Sequence, residues 1–120
     1  MTSLWLDGAP LTPRATLDVD VAADVAIIGG GVAGVATAYA LARAGGSVVV
    51  VERGELADGA SGRNAGFVLG GVAENYVAAC ATYGPDRAAR VFRFTFANRV
   101  LFRSAIRTNA IECEIGRAHV

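Results

Sequence analysis

Lysine is absent from the 120-residue chain, and histidine and tryptophan occur once each, at His119 and Trp5. Eleven arginines carry all the positive charge and eleven carboxylates balance them, for a formal net charge of zero. Such a balance excludes an extended basic field for nucleic acid. Any steering is local, with seven acids and three arginines in residues 1–60 against four acids and eight arginines in residues 61–120. Cysteine is scarce as well. Cys80 and Cys113 lie far apart without Cys-x-x-Cys spacing, which argues against a disulfide framework or a zinc site, so no metal is expected and both are read as reduced packing thiols. Charged residues make up only 18% of the chain and apolar ones 53%, which excludes disorder and predicts a buried core in one domain at most.

An export signal is missing too, because Asp7, Asp18, Asp20 and Asp24 fall where a leader needs apolar residues; a cytoplasmic origin is expected. The one long uncharged run, residues 25–42, has eighteen residues and reaches the lower bound for a membrane span. Gly29, Gly30, Gly31 and Gly34 divide it into a strand, a tight turn and a helix, so no membrane span is expected.

What is present has a readable order. Residues 1–16 hold Pro10 and Pro13 without periodicity and form an irregular arm with Trp5 as its anchor. Leu17, Val19 and Val21 alternate with Asp18 and Asp20, the period of a half-exposed extended segment, and the arm as a whole runs to residue 23. Residues 24–28 form an apolar run ending in glycines, as in a strand buried on both faces. Small and aliphatic residues from 32 to about 44 predict a helix ended by Gly45 and Gly46. Four consecutive valines within residues 47–51 predict a second buried strand, closed by Glu52. A glycine-rich loop spans residues 58–71, a helix is expected around 74–82, and Pro85 and Asp86 open another that runs to about 108. On a helical wheel Phe94, Ala97, Leu101, Phe102, Ala105 and Ile106 share one broad side of that last helix. Phe92, Phe96 and Val100 fall among Arg93, Arg99, Arg103 and Arg107. Either this is a solvated arginine face whose stems cover a few aromatics, or the helix is buried on two sides by protein absent from this chain.

The succession strand, Gly29-x-Gly31-x-x-Gly34, helix, strand, Glu52 is more specific than the glycine spacing alone. Gly29 allows the tight turn, Gly31 lets backbone approach a pyrophosphate, and Gly34 lets helix and strand lie close. The helix-start amides at Val32 and Ala33, with the helix dipole, attract phosphate. Glu52, eighteen residues after Gly34, is placed to accept hydrogen bonds from an adenosine ribose and to repel a 2′-phosphate, which disfavours NADP. By residue chemistry alone the second loop stays open: Ser61, Arg63 and Asn64 are either an ordinary crossover or a hydroxyl, a guanidinium and an amide presented to a cofactor.

Residues 24–52 followed by Gly59-Ala-Ser-Gly-Arg-Asn-Ala-Gly66 resemble the start of an FAD-dependent oxidoreductase of the D-amino-acid oxidase and glycine oxidase superfamily. The arm Ser3-Leu-Trp-Leu-Asp7, the Ala-Ser-Gly-Arg-Asn string and Ala110-Ile-Glu-Cys113 look most like its gamma-glutamylputrescine oxidase-like branch. The resemblance implies the N-terminal part of a Rossmann-like α/β FAD-binding domain, incomplete at 120 residues, over residues 24–113. It implies that Gly29, Gly31 and Gly34 hold the FAD pyrophosphate, Glu52 the ribose, and that Arg53 lies near the adenine. Ser61, Arg63, Asn64, Ala65 and Gly66 would line the path to the isoalloxazine. The loop lacks the histidine with which some relatives link flavin covalently. The implied chemistry is hydride removal from the carbon beside an amine, with a small-molecule amine or amino acid as substrate and a C-terminal substrate domain of the same chain as partner. The competing readings are an NAD-dependent dehydrogenase segment and an inactive nucleotide-binding remnant.

No residue here is a credible catalytic base. The sole histidine lies in Glu114-Ile-Gly-Arg-Ala-His-Val120, which G followed by AGATCGGAAGAGCACACGTC encodes, a string that looks like the start of a sequencing adapter. Residues 114–120 are therefore expected to be adapter-derived, with the reading frame continuing after about Cys113. Two strands and three helices leave open sheet edges and a marginal core, so the 120 residues alone are expected to be inactive and poorly soluble, with weak or no retention of FAD.

Overall fold

The computed structural model describes residues 3–7, 14–113 and 115–116. Pro10 and Pro13 of the arm, and Glu114 and residues 117–120 with His119, lie outside the described residues. The chain divides into two units, Met1–Ala65 and Gly66–Val120.

The first unit contains strand β1 (Val25–Ile28), helix α1 (Val32–Arg43) and strand β2 (Val48–Val51). The strands pair in parallel, from Val25 opposite Val48 to Ile28 opposite Val51. Parallel neighbours need a crossover, and α1 supplies it, packing on both strands. One end of the ladder is fastened by Asp24, whose Oδ2 accepts from the Ser47 amide at 2.8 Å, and the other by the Gly29 amide donating to Val51 O at 2.8 Å. Gly45 and Gly46 end α1 as expected, their amides bonding back to Ala42 O and Leu41 O. A β-α-β start followed by helices is the incomplete Rossmann-like plan expected from the glycine pattern.

Burial departs from expectation. Val25 and Ile27 are half-buried whereas Ala26 and Ile28 are exposed, Ile28 by 93%, so β1 is not buried on both faces. Side chains alternate across a sheet, and α1 is the only helix among the described residues of this unit to cover it. The extended segment at Leu17, Val19 and Val21 joins no ladder and is exposed, not half-exposed, because no described strand lies beside it. The expected loop after β2 contains a 3₁₀ turn at Ala60–Gly62.

The second unit is a helical pair, α2 (Tyr76–Tyr83) and α3 (Pro85–Thr108). Asn75 caps α2 by accepting from the Ala78 amide at 2.9 Å, and Pro85 with Asp86 opens α3. Ala79 and Ala88, both 1% exposed, are the only buried apolar side chains among the described residues, so the expected core is confined to two alanines. The Phe92 ring lies against Gly71 and meets the Tyr76 ring edge-on at 5.0 Å. Thr95 Oγ1 accepts from the Gly71 amide at 2.6 Å and donates to Phe92 O.

The packed side of α3 therefore includes Ala88, Phe92 and Thr95, and of the broad apolar side drawn on the wheel only Ala105 and Ile106 are half-buried. Phe94 and Leu101 of that side are 71% and 67% exposed. Small residues allow two helices to approach closely, and the Thr95 hydroxyl can be half-buried because both of its bonds go to backbone. Arg99, half-buried, lies over the Phe96 ring at 5.5 Å. Cys80 is half-buried and free, but Cys113 is free and exposed, so only the first is a packing thiol. The Tyr76 hydroxyl donates to the Cys80 sulfur, and this bond to the protonated form pushes the phenol above its usual pKa. No helix among the described residues is long and apolar enough to cross a membrane.

Candidate functional site

The site lies in the first unit, where the turn after β1 meets the chain after β2. Gly29 leaves the strand at φ +103, a conformation side-chain-bearing residues rarely adopt. Gly34 needs its missing side chain for another reason: a Cβ there would collide with the Gly29 carbonyl and press on Ile27. Gly31 is the residue before α1, and its open side faces the Ser61 hydroxyl. The amides of Val32, Ala33 and Gly34 open the helix, where the backbone offers no intrahelical acceptor.

Glu52 ties the two strand ends together. Its Oε2 accepts from the Gly30 amide at 2.7 Å and its Oε1 from the Gly54 amide at 2.9 Å. These bonds, Gly54 first and Gly30 next, hold its pKa below the ordinary carboxylate value. A carboxylate has about four lone-pair positions, so a bound diol still finds acceptors on Glu52. Arg53 beside it is exposed.

The second loop reaches the first through one hydroxyl. Ser61 Oγ accepts from the Val32 amide at 2.8 Å, capping α1 from 29 residues away. Asn64 donates its side-chain amide to Ser61 O at 2.7 Å and Ala60 O at 3.2 Å, closing the turn on itself. Arg63 pairs with Asp58 at 2.8 Å, both exposed. Ala65 ends this unit, and Gly66, at φ +73, begins the second. Gly31, Glu52, Arg53, Ser61 and Arg63 thus share the lining of one groove of about 340 Å³.

Sequence reasoning passed over four contributors. Gly30 is buried, and a Cβ on it would strike Leu56 and crowd Glu52. Ala57, at φ 62, donates its amide to Gly30 O at 3.1 Å and so folds the later loop back on the earlier one. Gly62 is buried, with no room for a Cβ beside Ala57 O and Leu6. Asp58 orients Arg63. The unbroken run of three glycines was the available signal for Gly30; the others depend on contacts the sequence does not announce.

Comparison with known proteins identifies the family. A family model described as FAD dependent oxidoreductase matches residues 24–119. Gamma-glutamylputrescine oxidoreductase of Escherichia coli (strain K12) is 33% identical over 102 residues, 85% of this chain and 24% of that protein. A probable oxidoreductase OrdL of Haemophilus influenzae is 30% identical over 92 residues, 77% of this chain and 21% of its own. Another OrdL, from Rhizobium meliloti, is 54% identical over 44 residues. The chain thus spans about a quarter or less of the curated relatives it matches. No solved structure matches. With a family match over nearly the whole chain and the paired glycine loops in place, this chain belongs to the FAD-dependent oxidoreductase family, whose cofactor is FAD.

Proposed function

We propose that the chain is the FAD-binding segment of an enzyme that oxidises the C–N bond of an amine or amino acid. The observation that carries this reading is the hydroxyl bridge from Ser61 to the Val32 amide, which brings the second loop to the start of α1. An NAD-dependent dehydrogenase has no need of that loop. The residues fit the cofactor: the Gly29, Gly31 and Gly34 turn leaves backbone open beside the Ala33 amide at the start of α1, where a pyrophosphate would be held, while the Val32 amide is taken by Ser61. Glu52, kept ionised by its backbone bonds, accepts from the adenosine ribose and rejects a 2′-phosphate. Arg53 would hold the adenine side of the cofactor, and Ser61, Arg63, Asn64 and Ala65 would line the path toward the flavin ring.

When bound, FAD supplies the hydride acceptor, and the protein sets geometry and polarity around it. The amine class is favoured by the name of the E. coli relative, an oxidoreductase of gamma-glutamylputrescine. The test is to titrate FAD and NAD side by side against the purified protein. Weak binding of FAD, at least tenfold tighter than that of NAD, is expected. Preference for NAD, or binding of neither, overturns the proposal.

A further inference from the structure

The N-terminal arm makes contacts that a loose leader has no reason to make. Ser3 donates its hydroxyl to Gly62 O, and the indole of Trp5 donates Nε1–H to Asn64 O at 2.7 Å. Leu6 fills the space beside Gly62 where any Cβ would fall. A backbone turn, Leu6 and Asp7 amides to Ser3 O at 3.0 Å, presents these three side chains together. All three reach residues 62–64 of the loop whose Ser61 grips α1.

We propose that residues 3–6 are a strap that holds the second glycine-rich loop in its cofactor-binding shape, with Ser3 and Trp5 as positioning residues acting through the carbonyls of Gly62 and Asn64. The proposal rests on the flavin reading above. Apart from the Ser61–Val32 bond, the loop's own restraints are local, the Asn64 bonds and the exposed Arg63–Asp58 pair, and an exposed pair contributes little. The arm adds long-range restraints 59 residues away in sequence. A loop fixed before the ligand arrives loses less conformational freedom on binding.

The variants are Trp5→Phe, which keeps the ring and removes the donor, and Ser3→Ala, each made in the full chain. Each is expected to weaken FAD binding about three- to tenfold, the size of one lost hydrogen bond. Without any cofactor, each is expected to speed trypsin cleavage after Arg63. Asp24→Ala serves as control, since it removes the acceptor of the Ser47 amide at the opposite end of the ladder. It is expected to lower the thermal midpoint and leave FAD affinity unchanged. Trp5 is the single tryptophan, so its emission reports arm docking directly in the unsubstituted chain. Unchanged FAD affinity and unchanged cleavage at Arg63 in Trp5→Phe and Ser3→Ala overturn the strap. Equal weakening by Asp24→Ala overturns it as well, by reducing the arm to general stability. If the unsubstituted chain binds no FAD while Arg63 still becomes labile in Trp5→Phe, the flavin reading fails and the arm's role toward a cofactor falls with it.

Discussion

The two units are held by different physics. In the first, side-chain oxygens far along the chain accept from backbone amides: Asp24 from Ser47, Glu52 from Gly30 and Ser61 from Val32. In the second, two helices meet through alanines and one aromatic pair, and large apolar residues such as Phe94, Val100 and Leu101 stay exposed. The first arrangement fixes directions and suits a polar ligand with phosphates and a ribose. The second fixes little direction and presents apolar area. Family membership spans both, yet the site residues cluster where polar bonds define the backbone.

The comparison is broken most severely at Gly34. Gly34→Val drives a Cβ into Gly29 O, and overpacking of this kind costs about 1–3 kcal/mol. Hydrogen exchange is expected to accelerate at β1 and α1 amides and not at α2. The counterpart is Phe92→Ala, which removes the Tyr76 contact and uncovers Gly71. Because the ring is half-buried, about 2 kcal/mol is expected, below the roughly 3–5 kcal/mol of a fully buried phenylalanine. Exchange then quickens in α2 and α3 alone, whereas Phe94→Ser, at an exposed position, shifts stability by less than about 0.5 kcal/mol. Equal acceleration in both units by either core change shows that the division into two is artificial.

The smallest effect sharpens the comparison by pH. Glu52 has a folded pKa below its ordinary value of 4.5, so its contribution is fully present above that value and is lost as pH falls through the lowered one. Glu52→Gln is expected to flatten this acid-side loss in the first unit and leave the second untouched. A thermal-midpoint profile from pH 6 down to about 3 checks it; identical slopes for both proteins refute it.

The elements were legible because they rest on local rules. The strands, α1 and the start of α3 fall within a residue or so of where glycines, valines and Pro85 place them. The first glycine loop was legible for the same reason. The packed side of α3 was not, because a wheel ranks residues by apolarity whereas the contact uses Ala88 and a hydroxyl-bearing Thr95. Strand burial was overestimated because four valines in a row state a preference for pleated backbone and say nothing of how many layers cover it. Contacts across 29 and 59 residues, from Ser61 to Val32 and from Trp5 to Asn64, leave no periodic trace in the sequence.

Gly84 ends α2 and begins α3 at once. Its amide donates to Cys80 O at 2.9 Å, and its carbonyl accepts from the Ala88 amide at 3.0 Å. Its backbone, φ +81 and ψ +153, lies in a region nearly confined to glycine. One residue thus serves as terminus for two helices, with no spacer between their hydrogen-bond ladders. Inserting or deleting a residue here would strip a cap from one helix and rotate the other by about 100°, carrying Ala88 and Phe92 away from α2. Chain length is more tightly fixed at this corner than residue identity is anywhere on the exposed side of α3.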